Sequence, residues 1–164
     1  MLMRHAKSSW DARDATDIER TLGERGRIAA AQLGGWIEAE GLVPDQVIVS
    51  NATRCQETWE IVSSKLSRQP DVITEPGLYM AGVDGMLDII RDKANGENVL
   101  VIGHQPAIGS LARALRVDPA PHHESFEKYP TGATTILDFD TTDWRQVDFG
   151  GGEFDRYIAP ENLT

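Results

Sequence analysis

Two short apolar runs in this chain each stop on a histidine, and together they constrain the fold more than any other feature. One is Val99-Leu100-Val101-Ile102-Gly103-His104-Gln105-Pro106; the other is Met1-Leu2-Met3-Arg4-His5. A continuous run of β-formers bounded by Gly and Pro reads as a strand buried on both faces. In an open α/β sheet, ligands bind just beyond the carboxyl ends of such strands. Two strands that each deliver a histidine to that edge place two imidazoles across one crevice.

The remaining pattern fits such a sheet. Strands are expected over residues 1–3, 47–49, 72–73 and 99–102, alternating with four helices. The first helix opens on the capping box Thr21-x-x-Glu24, carries Ala29, Leu33, Trp36 and Ile37 on one face, and stops at Gly41 with Pro44 beyond. The others are expected over 53–66, 83–93 and 107–115, the second with Thr58, Ile61, Val62 and Leu66 inward. Residues 119–130 read as a loop, 134–139 and 145–149 as a closing strand pair, and 150–164 as a tail lying loosely on the surface. Strand–helix alternation of this kind implies one domain over 1–164, a three-layer α/β/α sandwich with a mainly parallel central sheet.

Composition narrows the functional classes. No apolar run approaches the roughly 20 residues of a membrane span, and no signal-peptide pattern opens the chain. Cys55 is the single cysteine, so no internal disulfide forms, and a cytoplasmic location is expected. Sixteen Lys and Arg against 26 Asp and Glu leave a net charge of −10, which argues against nucleic acid or an anionic membrane as partner. Against that background, arginines gathered at one sheet edge are informative.

Arg4 and His5 follow the first strand, Arg54 sits in the first turn after the second, and His104 ends the fourth. Arg20 stands just before a helix start, where backbone amides favour an anion. The planar guanidinium fork suits tetrahedral oxyanions, so these positions point to a phosphate site. Two other phosphatase chemistries fail on spacing. A cysteine-dependent enzyme built on Cys55 needs an arginine six residues later, and that residue is Ile61. Asp138-Phe139-Asp140-Thr141-Thr142 mimics an aspartyl-nucleophile motif, but the 22 residues after Thr142 contain no lysine. His122-His123 with Glu124 lacks the helical spacing of metal ligands.

Arg4-His5, Ser50-x-Ala52-x-Arg54 and Gly103-His104-Gln105-Pro106 together resemble the histidine phosphatase superfamily, in its phosphoglycerate mutase-like branch. Arg4-His5-Ala6-Lys7-Ser8-Ser9-Trp10, Glu19-Arg20, Leu22, Arg25-Gly26 and Pro130-Thr131-Gly132-Ala133 are similar to its small SixA-type phosphohistidine phosphatases. The resemblance implies the phosphoglycerate mutase-like fold and a covalent mechanism without metal or other cofactor. In it His5 is the nucleophile, Arg4, Arg54 and His104 surround the phosphoryl oxygens, and Arg20 also lines the phosphate site. Larger members of the superfamily supply a glutamate as general acid after the third strand, a place held here by Glu75. The implied partner is a phosphohistidine-bearing protein, a histidine phosphotransfer or phosphocarrier domain, or else a small phosphorylated substrate. A general small-molecule phosphomonoesterase and a phosphate-binding module without turnover are the alternatives. Thr21, where the family more often has proline, and Cys55, where a small residue is usual, depart from the pattern.

Overall fold

Alternation along the buried strands divides the core into two layers. The computed structural model describes residues 1–119 and 123–163. Its strands are β1 (Leu2–Arg4), β2 (Gln46–Val49), β3 (Asp71–Thr74), β4 (Val99–Gly103), β5 (Thr134–Phe139) and β6 (Gly152–Ile158). They form one sheet in the order β3-β2-β4-β1-β5-β6. The first four in that order run parallel, and β5 and β6 pair antiparallel to their inner neighbours. Leu2, Ile48, Val99 and Val101 face α3 (Val83–Lys93) and α4 (Ala107–Ala114). Met3, Val47, Val49, Leu100 and Ile102 face α1 (Glu24–Ala39) and α2 (Thr53–Ser63). Strands sandwiched this way need apolar side chains on both faces, which is why they read as unbroken hydrophobic runs. The three-layer arrangement expected from the sequence is the one observed.

Local signals give way to tertiary contacts in three places. α1 begins at Glu24 with Gly23 as its N-cap, not at Thr21. The Leu22 amide, which a Thr21 cap would leave to solvent, donates instead to the Glu57 carboxylate of α2 at 2.6 Å, and Leu22 bridges Ser8. The buried face of α1 is Gly26, Ala30, Leu33, Gly34 and Ile37, so Ala29 and Trp36 are only half-buried. A side chain at Gly34 would meet the Val62 carbonyl at 2.6 Å, and one at Gly26 would strike the Lys7 carbonyl. Both glycines therefore let backbone approach backbone, and the second seats the loop after β1 directly on α1. α2 ends at Ser63, three residues before Leu66, although Leu66 is buried.

The closing strand pair was misassigned by pattern. Residues 145–149 are not a strand: Trp144–Gln146 is a 3-10 turn, capped by the Asp143 carboxylate accepting from the Arg145 amide at 3.0 Å. The partner of β5 is β6, drawn from the segment expected to be a loose tail, with a register shift at Ile136/Leu137. β6 lies at the sheet edge, where polar residues such as Glu153, Asp155 and Arg156 are tolerated and mask the strand period. No helix among the described residues is long and apolar enough to cross a membrane.

Candidate active site

The carboxyl end of β1 is fixed by backbone alone. The Arg4 amide donates to the Ala133 carbonyl (2.9 Å), the His5 amide to the Gly103 carbonyl (3.1 Å), and the Gly132 amide to the carbonyls of both Arg4 (3.1 Å) and His5 (3.0 Å). Gly132 achieves this at φ +79, and a side chain there would meet Pro160 Cγ at 2.6 Å. This is the structural use of Pro130-Thr131-Gly132-Ala133. The next residue ties the loop to α2: the Ala6 amide donates to Thr58 Oγ1 (3.0 Å), whose hydroxyl donates to the Arg54 carbonyl (2.7 Å).

His5 and His104 are buried and face each other with ring centroids 5.4 Å apart. His5 Nδ1 lies 2.7 Å from the Ala6 carbonyl, which makes it the protonated nitrogen and leaves the Nε2 lone pair free of hydrogen. Arg54 Nε–H donates to that lone pair at 3.3 Å. Arg54 Nη2 reaches His104 Nδ1 at 3.3 Å, so Nδ1 is an acceptor and His104 Nε2–H donates to Ser50 Oγ at 2.8 Å. One guanidinium thus joins the inner nitrogens of both histidines. Burial, opposed by the Ala6 hydrogen bond and reinforced by His104, Arg54 and Arg4, holds the His5 imidazole down at about 3. Burial first and Arg54 second hold His104 at about 4. Both rings are neutral near pH 7.

Arg4 closes another side. Its Nη1 donates to the Tyr129 carbonyl (3.0 Å), and its buried Nε has no partner among the described residues. Burial first, and the nearby Arg54 second, lower its pKa below the usual arginine value. Tyr129 is fully buried at φ +46, a costly conformation for a tyrosine, and its hydroxyl donates to the Leu2 carbonyl at 2.8 Å. That strained turn aims its carbonyl at Arg4. Nothing in the polar loop before Pro130 marks Tyr129 in the sequence.

Arg20 sits farther out. Its Nε donates to the Ser9 carbonyl (3.3 Å), Nη1 to Asp17 Oδ1 (3.0 Å) and Nη2 to Ser8 Oγ, while the exposed Trp10 ring lies over its guanidinium. It braces the loop and does not touch either histidine through any of these bonds. Asp17 accepts from Arg20 and also binds Arg54, through its carboxylate (3.2 Å) and its carbonyl (2.7 Å), and accepts from the Tyr79 hydroxyl. Tyr79 in turn sets its ring edge against His104 at 5.4 Å. Asp17 is an acid invisible by pattern among the several in that loop. The Tyr79 hydroxyl above all, then Arg20 and Arg54, hold its carboxyl down at about 2 against the opposing effect of burial.

The Glu75 carboxylate accepts from the Gly77 amide at 2.8 Å, capping its own turn. Cys55 Sγ lies 3.6 Å from His104 Nε2, but burial pushes its thiol up to about 12, so it stays protonated. Asp138 pairs with Glu153 within the sheet, toward the opposite end from His5. A cleft of about 790 Å³ at that opposite end, lined by Met1, Val99 and Asp138, contains none of the crevice residues. His122 lies outside the described residues; His123 packs its ring on Tyr157.

Two buried neutral histidines make stability depend on acid. The unfolded chain takes up protons below about pH 6.5, whereas the folded rings resist until about pH 4 and pH 3. Their contribution is complete above pH 6.5 and is lost as pH falls, at up to about 1.4 kcal/mol per pH unit for each ring. Urea unfolding of wild type and His5→Gln between pH 7 and pH 4 checks this. The variant is expected to lose stability less steeply by about one proton, and parallel slopes would contradict it.

Comparison with known proteins gives the family and the fold. Residues 1–79 match the histidine phosphatase superfamily (branch 1). An uncharacterized protein of Mycobacterium tuberculosis is 32% identical over 145 residues, covering 82% of this chain and 85% of that protein. Phosphohistidine phosphatase SixA of Escherichia coli (strain K12) is 27% identical over 165 residues, covering 99% and 94%. A solved structure of the protein histidine phosphatase SixA complexed with tungstate superposes with a TM-score of 0.79 at 25% identity, covering 99% of this chain and 97% of that one. The chain belongs to the histidine phosphatase superfamily and has the SixA-like form of the phosphoglycerate mutase fold.

Proposed function

We propose that this protein is a phosphatase that removes phosphate from phosphohistidine on a signalling or phosphocarrier protein, through a phosphohistidine formed at His5. The observation that carries the reading is the crevice itself: a neutral His5 with its Nε2 lone pair aimed at an arginine fork, and, among the described residues, no protonated carboxylic acid bonded to that fork. Asp17, the carboxylate bonded to Arg54, is held ionised, and Glu75 caps its own turn. An alkyl phosphate leaves as an alkoxide and needs a proton donor. A phosphohistidine protonated on its other ring nitrogen leaves as neutral imidazole and does not.

In the first step a bond forms between His5 Nε2 and phosphorus while the bond to the substrate imidazole breaks, its electron pair returning to that nitrogen. In the second, water attacks phosphorus, one of its protons passes to a phosphoryl oxygen and the Nε2–phosphorus bond breaks, its electron pair returning to Nε2 as dihydrogen phosphate leaves. Arg4 and Arg54 stabilise the charge on the equatorial oxygens, with the unpartnered Arg4 Nε as one further donor. His104, neutral and fixed by Ser50, holds the far side of the fork. The similarity to SixA supports the substrate class.

The test compares phosphate release from a phosphohistidine-carrying protein and from an alkyl phosphomonoester, with EDTA present, for wild type and Glu75→Gln. Release from the phosphoprotein at equal rates in both proteins is expected. Ester hydrolysis that dominates and collapses in Glu75→Gln would transfer the protein to the small-molecule phosphomonoesterases. Phosphate binding without turnover of either substrate would make it a binding module.

A further inference from the structure

The crevice carries its own anion. Asp17 lies in the 3-10 turn Asp17–Glu19, between β1 and α1. Its carboxylate accepts from Arg54 Nη2 (3.2 Å), from Arg20 Nη1 (3.0 Å) and from the Tyr79 hydroxyl. Among the described residues it is the carboxylate paired with either arginine. The Arg54 nitrogen that donates to it, Nη2, also reaches His104 Nδ1, on the side of the fork that faces the two histidines. Its main-chain carbonyl separately holds Arg54 Nη1 at 2.7 Å.

These bonds differ in how easily they yield. The carbonyl is part of the turn and stays with Nη1. The side chain is half exposed, 50%, and can swing toward solvent without disturbing the core. Arg20 does not depend on it, because Ser8, Ser9 and Trp10 hold its guanidinium from other directions. A carboxylate and a phosphate recognise a guanidinium edge through the same charge-assisted hydrogen bonds, and two anions on one nitrogen repel.

We propose that the Asp17 carboxylate is a built-in competitor of the phosphate: it keeps the Arg54 fork oriented between turnovers and gives up Nη2 when an oxyanion binds. It is a positioning residue that makes and breaks no bond to phosphorus. Its charge weakens the hold on inorganic phosphate and so favours product release. The proposal rests on the crevice being the phosphate site, and it holds whichever phosphorylated compound is the substrate. Asp17 remains charged throughout the neutral range because the Tyr79 hydroxyl, Arg20 and Arg54 all favour the ionised form.

Titration calorimetry of inorganic phosphate and of tungstate into wild type, Asp17→Asn and Tyr79→Phe separates the possibilities at pH 7. Asp17→Asn is expected to bind phosphate about five- to tenfold tighter while its kcat falls, because the fork is freed from the competing charge but less well oriented. Tyr79→Phe, which keeps the charge, is expected to change phosphate affinity less than about twofold. Asp17→Ala gives the same sign as Asn if the Asn variant loses its near-ultraviolet circular dichroism. Weaker or unchanged phosphate binding on loss of the carboxylate would overturn the proposal and leave Asp17 a brace for Arg54. A wild type that binds neither oxyanion would instead remove the phosphate site beneath it.

Discussion

His5→Ala is expected to bind inorganic phosphate and release none from substrate, with kcat at least about 10³-fold below wild type. The size of the effect follows from what the ring supplies. Its Nδ1–H is committed to the Ala6 carbonyl at 2.7 Å, so Nε2 is the nitrogen with a lone pair. That lone pair meets a single, long donor contact from Arg54 at 3.3 Å, which an entering phosphoryl group replaces at little cost. Burial and the surrounding positive charge keep the ring neutral down to about pH 3, so the nucleophile does not switch off on mild acidification. A side chain without the ring leaves Arg4, Arg54 and His104 to bind the oxyanion but gives phosphorus nowhere to go. Steady-state release of phosphate, with phosphate binding measured in parallel, checks this. Activity within tenfold of wild type would remove His5 as nucleophile.

Arg54→Lys is expected to lose about 10² to 10³ in kcat/KM and to recover less than tenfold over Arg54→Ala. The guanidinium reaches four acceptors at once: His5 Nε2, His104 Nδ1, the Asp17 carboxylate and the Asp17 carbonyl. A lysine ammonium is a point charge on a flexible stem and cannot span them. Charge alone is thus predicted to be insufficient, and kcat/KM of the two variants decides. A lysine variant near wild-type activity would show that positive potential, not the fork, is what matters.

The parts of this fold that were readable are those whose pattern is set by burial. β1, β2 and β4 are apolar on both faces because helices cover both, and each run ends where the site begins. The histidines and Arg54 inherit their legibility from those strand ends. β6 hid because an edge strand with one partner tolerates charges that break its period. The Thr21 capping box misled because Glu57, 35 residues away, takes the Leu22 amide. Asp17 and Tyr129 contribute through contacts no local pattern encodes: one bridges from a loop to α2, the other aims a carbonyl across the sheet edge at Arg4. Arg20 was expected to line the phosphate site, whereas its bonds to Ser8, Ser9 and Asp17 make it a brace of the loop in this structure.

The most direct measurement is capture of the covalent intermediate. The protein is mixed with a phosphohistidine-carrying partner labelled on phosphorus, quenched in alkali within milliseconds, digested and analysed by mass spectrometry. Label on the peptide that contains His5, removed by brief acid treatment and absent from His5→Gln, is the predicted result. Full turnover with no label on His5 at any quench time, or label on another residue, would contradict transfer through this histidine.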